Sequence, residues 1–135
     1  MVFPAWGTGE GAVYRLDNVM IFDPASLPAP LGLTIYDDAQ HPEWAIWDCC
    51  AGSTPTEEMD DSEHNMVAEF VIGASPTVMG FLADDDIYFD ASSILSTASI
   101  SFDLKVVNAP NDSSAVWKFK VESKVYYCLD DRIGV

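Results

Sequence analysis

Residues 98–107 read ASISFDLKVV, and their alternation decides the fold class. Ile100, Phe102, Leu104 and Val106 fall on one side of an extended chain, and Ser99, Ser101, Asp103 and Lys105 fall on the other. Successive side chains of a strand point to opposite faces, so a period of two sets an apolar row against a core and a polar row in water. Residues 115–123, AVWKFKVES, repeat the device: Trp117, Phe119 and Val121 oppose Lys118, Lys120 and Glu122. In 65–73, NMVAEFVIG, Ala68, Phe70 and Ile72 oppose Val67, Glu69 and Val71. In 11–22, GAVYRLDNVMIF, Tyr14, Leu16, Met20 and Phe22 oppose Arg15, Asp17 and Val19.

Turn chemistry separates these runs. GTGEG (7–11), DPASLPAPLG (23–32), CCAGSTPTEE (49–58), GASPT (73–77), ADDD (83–86) and NAPNDSS (108–114) are the Gly, Pro, Asn, Asp and Ser clusters expected between strands. Only DASSILSTAS (90–99) suggests a helical turn, with Asp90 or Ser92 as its N-cap. Many short strands with polar turns predict an all-β chain, a β-sandwich or jelly roll.

Composition bounds the partners. The 135 residues suit one domain with a genuine core, and 49% are hydrophobic, which excludes a disordered tail. Twenty-two acidic residues against six Lys and Arg give a net charge of −16. No basic stripe exists to displace counterions from phosphates, so nucleic acid and anionic membrane are excluded as expected partners. Neutral ligands, cations and basic partners remain. No apolar run approaches the roughly 20 residues that cross a bilayer. No signal peptide is visible, and localisation stays open. Three cysteines, two of them adjacent as Cys49 and Cys50, fit neither a disulfide framework nor a zinc signature. The pair is either free thiols or a vicinal disulfide.

Three runs carry a resemblance. VFPAWGTGEGAVYRLDNVMIF (2–22) resembles the final hairpin of jelly-roll, galactose-binding-like modules appended to glucanases, laminarinases and other polysaccharide-degrading enzymes of marine bacteria. Residues 33–73 and 99–123 resemble the first half of such a module. The chain therefore looks cut across a module junction or reordered: 1–23 as last-strand hairpin, 24–32 as linker, 33–123 as the first part of the module, 124–135 as an atypical tail. The strands that normally lie between the two parts are absent, so the sandwich is expected to be incomplete.

The resemblance implies a non-catalytic carbohydrate-binding module with a β-glucan or related marine polysaccharide as ligand. Sugar rings stack on aromatic faces, with polar groups reading the hydroxyls. The candidates are Trp6, Trp44 and Trp47 as platform, with Arg15, Lys118, Lys120 and Glu122 on strand faces opposite the core; Trp117 is expected in the core. Modules of this kind commonly hold a structural calcium where first and last strands meet, and the matching residues are Asp17 with Asp37 or Asp38. Asp60, Asp61 and the run Asp84–Asp86 are weaker candidates. Calcium takes six to eight oxygen ligands, and no EF-hand spacing is present.

Glu58–Glu63, EMDDSE, matches a loose E-x-D-x-x-E pattern that resembles the signature of some laminarin-cleaving glycosidases. Retaining hydrolysis needs two carboxyls about 5–5.5 Å apart across one bond. Met59, Asp61 and Ser62 between them, with His64 and Asn65 following, read as a polar turn, so Glu58, Asp60 and Glu63 are a remote catalytic reading. His41 and His64 lack a nucleophile motif. The alternative to sugar binding is a self-associating module fragment. Missing strands would leave 115–123 and 11–22 as bare edges, which predicts a homodimer formed by strand pairing or by exchange of the Met1–Phe22 hairpin.

Overall fold

Val13–Phe22 is the strand around which the others gather. The structure, a computed structural model, describes residues 2–5, 9–26, 32–49, 55–60, 64–73, 77–84, 92–94, 96–115 and 121. Its strands are Val2–Ala5 (β1), Val13–Phe22 (β2), Gly32–Tyr36 (β3), Trp44–Cys49 (β4), Thr56–Met59 (β5), Met66–Val71 (β6), Thr77–Ala83 (β7) and Ser99–Asn108 (β8). Among the described residues there is no α-helix. The expected helical turn reduces to hydrogen-bonded turns at Ser92–Ile94 and Ser96–Thr97, with Ala98 N–H donating to the Ile94 carbonyl.

Every pairing is antiparallel, in two sheets that share one core, as a β-sandwich requires. The smaller sheet runs β1-β7-β4. In the larger, β2 pairs with β8 along one side, while its other side is divided between β6 (Val13–Leu16) and β3 (Val19–Phe22). Met79 and Phe81 of β7 face Tyr14, Leu16, Val19, Ile35, Ala68 and Phe70 of the larger sheet. Phe81 lies between Phe70, edge to face at 5.8 Å, and Tyr36 at 5.6 Å, joining the sheets with aromatic contacts.

Three expectations about the opening segment change. It is not a hairpin, because β1 pairs with β7 and β2 belongs to the other sheet. Nor is β2 a bare edge; it is the most paired strand among those described. Its inward face also switches. Both ladders shift register around Asn18 and Val19, and this bulge moves the inward set from Tyr14 and Leu16 to Val19 and Ile21, leaving Met20 and Phe22 only half-buried. The turn expected at 58–63 starts later, since Glu58 and Met59 close β5. At the start of β3, Gly32 is paired with Phe22, where a Cβ would sit 2.9 Å from the Ile21 carbonyl oxygen. A side chain there would push β3 away from the spine.

The apolar row of β8 faces inward, since Leu104 is registered with Leu16 and Val106 with Tyr14. Yet Leu104 is 42% exposed and Val106 53% exposed. The smaller sheet does not reach over this strand.

Candidate functional site

The tryptophans of β4 do not form one platform. Residues three apart on a strand point to opposite faces. Trp44 shares the inner face with Ile46, and both pack against the core. The Trp44 indole N–H is buried with no hydrogen-bond partner among the described residues. Trp47 points outward from β4, which pairs only with β7 among the described residues; it is half-buried and registered with Gly80, beside Ala45 and the exposed Leu82. Gly80 has no side chain to stand across the ladder from the indole. Trp6, Trp117, Lys118, Lys120 and Glu122 lie outside the described residues.

The outer face of the larger sheet carries the polar candidates. Arg15 does face away from the core, but it is engaged: its Nε donates to Glu69 at 2.7 Å and its Nη1 to Asp60 at 3.0 Å. Lys105 of β8 also contacts Asp60. Glu69 first, and Asp60 with it, raise the Arg15 pKa above its ordinary value. The Lys105 hydrogen bond, then that of Arg15, hold the Asp60 carboxyl below the usual carboxylate value. A carboxyl kept ionised in this way is unsuited to act as a general acid. Glu58 hydrogen-bonds Thr56 on the strand, and Glu63 lies outside the described residues.

A second polar node fills the gap where the edge of β2 passes from β6 to β3. Asp17, 3% exposed, accepts the Asp38 backbone N–H at 3.0 Å on Oδ1. Its Oδ2 lies 3.1 Å from His64 Nδ1, which is 4.0 Å from Asp103 Oδ2. Asn18 donates to Asp103, and Asn65 to Asp38. The three described non-glycine residues with positive φ, Asn18 (52°), Asp38 (55°) and Asn65 (33°), all sit here. Asn and Asp tolerate the left-handed region better than other side chains, because their short polar groups bond locally. The bulge of β2 and two turns thus meet around one buried carboxylate.

Asp17 and Asp38, expected to share a cation, meet as hydrogen-bond partners, the Asp38 N–H donating to Asp17. Asp37 is exposed, and Asp61, Asp85 and Asp86 lie outside the described residues. Among the described residues no three His, Cys, Asp or Glu side chains gather to hold a metal ion. Both Asp17 oxygens already meet protein nitrogens, Oδ1 the Asp38 N–H and Oδ2 the His64 ring. Sequence reasoning missed His64 as a partner of Asp17 and Asn65 as a partner of Asp38. The signal available was the polar DSEHN turn between two strands, which had to pack somewhere. It also missed Glu57, which accepts the buried Tyr36 hydroxyl at 2.8 Å and the Gln40 N–H at 2.7 Å. Burial and then Glu57 push the Tyr36 phenol well above its usual value.

Compared with models of known protein families, with curated proteins and with solved structures, the chain matches none.

Proposed function

We propose that this protein is a non-catalytic jelly-roll-like module that binds a neutral polysaccharide of the β-glucan class through Trp47. The observation that carries the reading is the place of that ring: half-buried on the outer face of β4, opposite a glycine. Pyranose rings stack on such surfaces through their C–H faces, and a neutral ligand is not repelled by a chain of charge −16. Topology supports the jelly-roll detail. Only β2–β3 and β5–β6 are consecutive neighbours in one sheet, and each other step between described strands changes sheet. The commitment of Asp60 to Arg15 and Lys105 supports a binding role over a hydrolytic one.

Affinity electrophoresis in gels containing laminarin tests this directly. The wild type should be retarded, and Trp47→Ala should lose about tenfold or more in affinity, the cost of one stacked aromatic. Trp44→Phe, which trims an inward side chain and its N–H, should bind as the wild type does. Unchanged mobility of the wild type across a panel of polysaccharides would exclude the reading.

A second reading has its own support. The inward-facing but exposed row of β8 favours a module whose role is to associate with another chain.

A further inference from the structure

We propose that Asn111 is an acceptor for an N-linked glycan. Residues 111–113 read Asn-Asp-Ser, the N-x-Ser/Thr pattern in which an oligosaccharyltransferase recognises the hydroxyl two residues beyond the amide it modifies. Of the four asparagines in the chain, only this one is followed by the pattern. Three residues are a short signal, so their place in the fold has to carry the inference.

The other three asparagines are structurally committed. The side chain of Asn18 donates to Asp103, that of Asn65 to Asp38, and that of Asn108 to the Gly11 carbonyl. The Asn111 amide makes no hydrogen bond among the described residues; only its backbone N–H is directed to a partner, the Glu10 carbonyl at 3.5 Å. Asn111 is exposed, and so are Asp112, Ser113 and Ser114. This turn lies beyond Asn108, the last residue of β8 in its ladder with β2. Its exposure therefore asks nothing of the sheet edge.

Local chemistry shapes the turn. Asp112 Oδ1 accepts the Ser114 N–H at 2.8 Å and the Ser114 hydroxyl at 2.7 Å, and the Asp112 carbonyl accepts the Ala115 N–H at 3.1 Å. Such bonding by a short polar side chain fixes a turn without a ladder. The middle side chain of the pattern is thus engaged within the turn. The two that the transferase must read, the Asn111 amide and the Ser113 hydroxyl, have no bond among the described residues to give up. Gly11 adds room, since the amide rests over it and a Cβ there would stand 3.0 Å from Nδ2. Without that Cβ the amide is able to turn toward solvent.

In the transfer, Nδ2 attacks the anomeric carbon of an oligosaccharide carried on a polyprenyl diphosphate. The N–C bond forms, the C–O bond to the diphosphate breaks, and the polyprenyl diphosphate leaves with the electron pair. The amide proton passes to a base of the transferase. The product is a bulky, hydrated surface group. It would stand on a turn next to the larger sheet, whereas Trp47 belongs to the smaller one, so nothing here rests on the sugar-binding reading.

Expression of the full chain behind a cleavable secretion signal in yeast tests the assignment. The chain should run heavier on a denaturing gel in one discrete step. Peptide-N-glycosidase, which leaves Asp where the glycosylated Asn stood, should return it to 14.8 kDa with Asp at position 111 by mass spectrometry. Asn111→Gln and Ser113→Ala should each abolish the shift, whereas Ser113→Thr and Asn108→Gln should keep it. The shift is read on all chain inside sealed membranes, folded or not, so a variant that folds poorly still reports. Translocated chain with Asn111 unmodified, or a shift that survives Asn111→Gln, would overturn the proposal. The secreted glycoprotein should also show the circular dichroism of the enzymatically stripped chain. Strand signal that returns only after stripping would overturn the placement of the glycan on an exposed turn.

Discussion

β2 and β8 are ten-residue strands with the same alternating pattern, paired along most of their length, and their fates differ. Tyr14, Leu16 and Val19 are buried, whereas Leu104 and Val106 on the same face of the sheet stay exposed. The polar rows differ too. Asp17 is enclosed by Asp38 and His64, while Asp103, its registered partner, faces water. Alternation therefore reports that a segment is a strand and which side is apolar. What covers that side depends on the second sheet, here only three described strands wide and seated over β2, β3 and β6.

Truncating the two leucines should produce the largest contrast. Leu16→Ala opens a cavity beneath the smaller sheet and should cost about 2–5 kcal/mol in denaturant unfolding. Leu104→Ala, measured in dilute protein, should cost less than about 1 kcal/mol. Equal losses would mean that Leu104 is as enclosed as its neighbour.

The two aspartates should differ next. Asp17→Ala leaves the half-buried Asp38 N–H without its acceptor and should cost about 1–3 kcal/mol. Asp103→Ala removes an exposed carboxylate and should stay within about 0.5 kcal/mol. A comparable loss at both positions would show that the node depends on Asp103 as much as on Asp17.

The smallest effect concerns acid. Lys105 and Arg15 lower the pKa of Asp60 in the folded chain. Its contribution is complete above the unfolded value, near pH 4, and is lost as pH falls through the lower folded value. The stability gap between wild type and Asp60→Asn should therefore close on acidification from about pH 5 to about pH 2. A gap constant over that range would dissociate Asp60 from the Arg15 network.

Strand content was legible where polar and apolar residues alternate over a long run, whereas β5 fell inside a stretch read as a turn. The alternating rows of β2, β6 and β8 name their strands, and the outward position of Arg15 followed from the same count. β7 was not legible, because TVMGFLA is apolar on both faces and a period of two cannot appear in it. The bulge at Asn18 and Val19 was hidden for a different reason: one extra residue changes the face of all that follows, and only pairing reveals it. At the site, the meeting of Asp17 with Asp38 came from a family likeness, and its chemistry did not. A pair of Asp residues in sequence says nothing of the N–H that the turn at Asp38 brings to Asp17. Trp44 and Trp47 show the same limit, since a spacing of three says nothing about burial until both are known to lie on one strand.

The position of β2 also sets an order of events. This central strand is translated before every described strand that flanks it, and β8 comes last among them. Until residues near 103 emerge, Val13–Phe22 has at least one open side, and the Asp17 node lacks Asp103. Local hairpins such as β5–β6 can close early, but the larger sheet must wait for contacts distant in sequence. A nascent chain paused before Ser99 would present the β8 side of its central strand to whatever chaperone or neighbouring chain is at hand.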